Sequence, residues 1–137
     1  VSSVGDINND GIQDVLIGAY YADPYGRQDA GSSYVIYGKD GGYDAPLDLA
    51  SLSNTQGFRI NGAVAVDRSG YSVSAAGDIN NDSIDDLIIG AYYADPFNRT
   101  SAGSSYVIYG KDGGYDAPLD LASLSNTQGF RINGAVA

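Results

Sequence analysis

Asp6-Ile7-Asn8-Asn9-Asp10-Gly11-Ile12-Gln13-Asp14 returns later in the chain, with two changes, as Asp78-Ile79-Asn80-Asn81-Asp82-Ser83-Ile84-Asp85-Asp86. Both copies read D-x-N-x-D-x-x-x-D, with oxygen side chains at loop positions 1, 3, 5 and 9. A hard divalent cation such as calcium takes 6–8 oxygen ligands at about 2.3–2.6 Å, and a loop curling around it turns every second residue inward. The spacing predicts two calcium sites per chain. Asp6, Asn8, Asp10 and Asp14 hold one through side chains, and Asp78, Asn80, Asp82 and Asp86 hold the other. The backbone carbonyls of Ile12 and Ile84, at position 7, complete the shells. Gly11 at position 6 suits a sharp turn. Ser83 stands there in the second copy, and a positive φ would cost it roughly 1–2 kcal/mol. An EF-hand loop needs an acid at its twelfth position. Here those places are Ile17 and Ile89, inside apolar runs.

The loops belong to a larger duplication. Residues 1–65 align without a gap on 73–137, and 55 of the 65 pairs are identical. The segment Val66-Asp67-Arg68-Ser69-Gly70-Tyr71-Ser72 occurs once, between the copies. The organisation is therefore one unit over 1–65 and a second over 66–137, with 66–72 as its linking segment. Each unit reads as four short strands. In the second these are Val73–Ala76, Leu87–Ala91, Ser105–Tyr109 and Gly129–Ile132, rich in β-branched and aromatic residues and separated by turn signals such as Lys111-Asp112-Gly113-Gly114. The run Leu87-Ile88-Ile89 suggests a strand buried on both faces. A short helical turn is expected near Ser123-Leu124-Ser125. No window shows a sustained 3.6 period, so the fold class is all-β. Four antiparallel strands per unit suit the blades of a β-propeller; an eight-stranded sandwich is the alternative.

Composition narrows the chemistry. The net charge is −10 and the pI about 4.1, so nucleic acid and anionic membrane surfaces are poor partners. All 17 acidic residues are Asp, a side chain suited to tight turns and oxygen-donor loops. His and Cys are absent, which removes zinc and iron–sulfur sites, thiol nucleophiles and histidine triads. Asp85-Asp86 resembles a catalytic carboxylate pair, but the loop already uses Asp86, and Gln13 stands in place of Asp85 in the first copy. The chain is expected not to be an enzyme. No apolar stretch is long enough for a membrane helix. The start lacks Met and a leader pattern, as in a mature fragment or an engineered piece. Asn98-Arg99-Thr100 is a glycosylation sequon, as is Asn81-Asp82-Ser83 inside the second loop.

Gly70-Tyr71-Ser72-Val73, then Gly77 to Asp82, then Asp86-Leu87-Ile88-Ile89-Gly90-Ala91 resembles the FG-GAP repeat of integrin α-subunits and their bacterial relatives. The first unit carries the same elements from Gly5 to Asp14 and from Val15 to Ala19. Two departures stand out: Tyr20 and Tyr92 occupy a place the family usually gives to Pro, and the F-G element appears once, as Gly70-Tyr71. The resemblance implies a propeller with calcium on blade loops, ligand binding on another face, and an extracellular or cell-surface setting. It leaves open a scaffold for adhesion or protein interaction, the non-catalytic propeller part of a larger secreted hydrolase, and an engineered self-assembling repeat. The expected partners are other copies of the chain or further blades, and a protein or glycan ligand. Two units cannot close a ring of typical size. Assembly in pairs predicts a ring with an even number of blades, six or eight. The twelve Tyr are expected to pack mainly between units; the alternative is a carbohydrate platform formed by Tyr20, Tyr21, Tyr25, Tyr34, Tyr37 and Tyr43 with their counterparts.

Overall fold

The computed structural model describes residues 1–136. They form nine strands: β1 (Ser2–Gly5), β2 (Asp14–Ala19), β3 (Ser32–Ile36), β4 (Gly57–Asn61), β5 (Ser69–Gly77), β6 (Asp86–Ala91), β7 (Ser104–Ile108), β8 (Leu119–Asp120) and β9 (Gly129–Asn133). Helical structure among the described residues is limited to four 3-10 turns of three residues each. The all-β expectation holds.

Each unit makes its own antiparallel sheet. The first has the order β1-β2-β3-β4, and the second β5-β6-β7-β9. The register is the same in both: Ile17 faces Tyr34 and Tyr34 faces Arg59, as Ile89 faces Tyr106 and Tyr106 faces Arg131. Strands that follow one another in a unit pair with each other, as neighbouring elements usually do, although the connections are long: residues 20–31 join β2 to β3 and residues 37–56 join β3 to β4. The sequence did not reveal β8. Its two residues leave the second unit and add in parallel to the edge of β4, Leu119 opposite Ile60 and Asp120 opposite Asn61. The expected helical turn lies two residues earlier, at Leu121–Ser123, because the Asp120 carboxylate accepts the Ala122 N–H at 2.9 Å and starts the turn there.

The core lies between the two sheets, and they contribute opposite faces to it. The first sheet supplies Val4, Leu16, Val35, Phe58 and Ile60; the second supplies Leu87, Ile89, Tyr106 and Ile108, all nearly inaccessible. Phe58 meets Tyr115 across the boundary, with ring centroids 5.1 Å apart. Gly18 permits a close approach between the sheets, since a Cβ there would stand 1.9 Å from the Gly70 carbonyl oxygen. With one neighbour per sheet, the run Leu87-Ile88-Ile89 is not buried on both faces: Leu87 and Ile89 are buried and Ile88 only half so. Val15, the counterpart of Leu87 in the first sheet, is 43% exposed. The linking segment is bound rather than free. The N–H groups of Val66, Arg68 and Ser69 donate to the carbonyls of Gln28, Asp29 and Ala30, and β5 begins at Ser69.

Candidate metal centre

Each predicted loop runs between the first two strands of its sheet, and the two loops share one hydrogen-bond pattern. In the first, Asp6 Oδ1 accepts from the Asp10 N–H at 3.0 Å and Asp6 Oδ2 from the Gly11 N–H at 2.7 Å. Asp10 Oδ1 accepts from Ile12 at 2.9 Å, and Asn8 Nδ2 donates to Asp10 Oδ2 at 3.1 Å. In the second, Asp78 accepts from Asp82 and Ser83, Asp82 from Ile84, and Asn80 donates to Asp82 at 3.1 Å. These are Asx turns, in which short carboxylates cap the N–H groups that a tight loop exposes. The sharp turn is real: φ is +86° at Gly11 and +71° at Ser83.

Asp14 and Asp86, at position 9, are the buried members. Asp14 accepts from Ile7 and Gly38 N–H, both at 2.8 Å, so it fastens the start of its loop to the end of β3. Asp86 does the same with Ile79 and Gly110 at 2.7 and 2.8 Å. Burial raises both carboxyls above the ordinary aspartate range, against the lowering effect of these donors, and the loop's other aspartates raise them further.

The structure draws Asp6, Asn8 and Asp10 into one hydrogen-bonded turn. It does not bring the three carboxylates of either loop into a cluster: among the described residues, no three Asp, Glu, His or Cys side chains stand close enough to hold a metal together. Like charges repel, and backbone N–H groups satisfy each carboxylate separately. One atom is left over. Asn8 Oδ1 is buried and has no hydrogen-bond partner. Asn8, Asp10 and Ile12 also line one open cleft, as Asp82 and Ile84 do in the second copy. An oxygen-only donor set with an unpartnered buried carbonyl fits a hard cation.

Two further groups centre on cations that the sequence did not single out, Arg68 and Arg27. The guanidinium of Arg68, in the once-only segment, lies 5.2 Å from the Tyr21 ring centroid and 5.0 Å from that of Tyr93, and donates to Tyr92 Oη at 2.7 Å. Tyr20, Tyr71 and Tyr92 continue the aromatic cluster. The expectation that the tyrosines pack mainly between the units holds only for a minority: Tyr37, Tyr106 and Tyr115 are buried between the sheets, whereas Tyr21, Tyr25, Tyr71, Tyr92 and Tyr93 are exposed. The second group is the ion pair Arg27–Asp120, two parallel contacts of 2.8 and 3.0 Å linking the units. It is the one ion pair among the described residues. Arg59 and Arg131 make no ion pair, although Arg131 acts on Asp67 through its charge.

Comparison with known proteins agrees with the loop pattern. The FG-GAP repeat family matches residues 1–36 and 69–108, which is more than half of the chain. Integrin alpha pat-2 of Caenorhabditis briggsae is 35% identical over 148 aligned positions, covering 98% of this chain and 12% of that protein. Rat phosphatidylinositol-glycan-specific phospholipase D is 37% identical over 118 positions, covering 83% of this chain and 13% of the enzyme. Mouse integrin alpha-3 is 30% identical, covering 82% of this chain and 9% of that protein. The chain thus spans about an eighth or less of these relatives' lengths. Two copies of the same loop, strand pairing and sequence pattern make this chain a member of the FG-GAP repeat family.

Proposed function

We propose that the chain is a calcium-binding, non-catalytic repeat module of the integrin α type, each sheet forming one blade of a β-propeller. It serves as a scaffold for adhesion or protein interaction at the cell surface or outside the cell. One observation carries the reading: the duplicated oxygen-donor loop, whose Asn8 Oδ1 is buried without a partner. Calcium would be held by Asp6, Asn8, Asp10 and Asp14 with the Ile12 carbonyl, and by Asp78, Asn80, Asp82 and Asp86 with the Ile84 carbonyl. The bound ion supplies charge neutralisation, and the chain's own residues hold the turn ready for it. The blade assignment rests on the four antiparallel strands of each sheet coming from one contiguous repeat, with only the two-residue β8 crossing over, where a sandwich usually draws each of its sheets from interleaved strands. The Arg68 and tyrosine cluster offers a protein or glycan ligand a face away from the loops.

The phospholipase D relatives favour a second reading, in which the module accompanies a catalytic domain of a secreted hydrolase. Without His or Cys, and with Asp86 of the Asp85-Asp86 pair held by the backbone of its loop, this chain offers no nucleophile–base pair. A catalytic domain in the same gene would decide for that reading, and near-identical units would also suit an engineered repeat. The calcium claim is tested by melting the protein in excess calcium and in excess chelator. Binding to the folded state alone adds about 2.7 kcal/mol per site at 100 times Kd, so the chelator should lower the melting temperature by several degrees. Superimposable melting curves would overturn it.

A further inference from the structure

The surface between the two sheets is made once inside the chain, yet the chain carries the parts to make it again. Phe58 and Ile60, on the inner face of the first sheet, are 4% and 1% exposed; their copies Phe130 and Ile132 in the second sheet are 38% and 47% exposed. Leu87, on the inner face of the second sheet, is fully buried; its copy Val15 in the first sheet is 43% exposed. The two open faces of the molecule therefore repeat the two faces that already bury each other.

The polar contacts follow the same rule. Leu119 and Asp120 extend the edge of β4, and Asp120 receives both arms of Arg27 while Arg27 Nη1 also donates to the Gly62 carbonyl. Arg99, the copy of Arg27, donates to the Gly134 carbonyl at 3.1 Å but meets no carboxylate. Asp48, the copy of Asp120, is exposed and accepts only the nearby Ala50 N–H, at 2.9 Å. Its neighbour Leu47 lies in no strand, and the edge of β9 at Ile132 and Asn133 has no partner strand. One end of the molecule keeps an unpaired acid beside an unpaired strand segment. The other end keeps the matching base beside the matching strand edge.

We infer that the chain associates head to tail with further copies of itself. The open face of the second sheet of one copy takes the open face of the first sheet of the next, Leu47–Asp48 adds in parallel to the β9 edge at Ile132–Asn133, and Asp48 pairs with Arg99. The contact repeats an interface already present in the molecule, so shape, strand register and charge are matched in advance. It is heterologous, joining different surfaces, so it closes into a ring with an even number of sheets or runs on as a filament. This goes beyond the calcium reading: no residue it uses is a proposed calcium ligand.

The test is the molar mass of the full chain in solution by light scattering, across a range of concentrations, with two single variants. Asp48→Arg places like charges at both ends of the contact, and so does Arg99→Asp. Each variant alone should associate at least about tenfold more weakly than the unaltered chain, and an equimolar mixture should recover, because each junction then joins opposite charges. Only a head-to-tail contact between positions 48 and 99 gives that recovery. Phe130→Asp, on a side chain already exposed, should give a single-chain mass with the fold retained by circular dichroism. A single-chain mass for the unaltered protein at about 100 µM overturns the inference. So does a mixture that associates no better than either variant, and so does a Phe130→Asp chain that assembles as well as the unaltered one.

Discussion

Ser83 and Gly11 hold the same backbone position, with φ of +71° and +86°. Gly reaches that region without strain, whereas an L side chain does not. Ser83→Gly should relieve about 1 kcal/mol of strain and raise the folding stability by about that amount, read by urea unfolding in excess chelator. Asp67 is strained electrostatically. It is 7% exposed, and burial raises its carboxyl from 3.8 to about 6, helped by the charge of Asp95 and opposed by Arg131 and the Val64 backbone. The folded protein thus binds a proton that the unfolded chain releases, so Asp67 costs stability above pH 6. That cost shrinks as the pH falls from about 6 toward 4. Asp67→Asn should stabilise the protein at neutral pH by on the order of 2 kcal/mol and flatten this part of its stability–pH curve. Denaturant melts of both proteins at pH 5 and pH 7.5, in saturating calcium, check it; a difference independent of pH would contradict it. The two hydrogen-bonded loops were legible in the sequence because two copies showed the same spacing. Asp67 and Arg68 were not, because their segment occurs once and carries no periodic pattern.

At the scale of the element, β8 ties the units together. The Arg27–Asp120 pair is partly shielded, and the Arg27 guanidinium holds the Asp120 carboxyl below the ordinary range. Its contribution is therefore present at neutral pH and is lost on acidification through the folded-state value, opposite in sign to the Asp67 effect. Arg27→Ala should lower the stability of the dilute chain by about 1–2 kcal/mol, measured by urea unfolding. Arg99→Ala is the internal control: it loses the equivalent carbonyl contact but no carboxylate, and should cost less. Equal losses would show that the ion pair adds nothing. The long strands were readable from their β-branched runs and turn residues. A two-residue strand pairing in parallel with another unit leaves no local trace, because its partner stands some sixty residues earlier. Burial of both faces of the Leu87–Ile89 run was also expected, and it fails here for a physical reason: each sheet has one neighbour.

Across the whole molecule, the same sequence lives in two environments. Phe58 is packed between Tyr37 and Tyr115, while Phe130 meets Tyr109 on an open face. Phe58→Ala should cost about 3–5 kcal/mol by leaving a core cavity. Phe130→Ala in dilute solution should cost well under half of that, and comparable losses would mean that Phe130 is covered even in the single chain. Two all-β sheets from one duplicated unit were foreseeable, whereas the use of opposite faces of that unit was not, since one run of apolar residues serves either face. Calcium is the claim on which the functional account turns, because six loop carboxylates otherwise stand among few compensating charges. Isothermal titration of the chelator-treated chain with calcium tests it most directly. Two ions should bind per chain, one in each loop; a flat titration up to millimolar calcium would mean that the loops hold no ion.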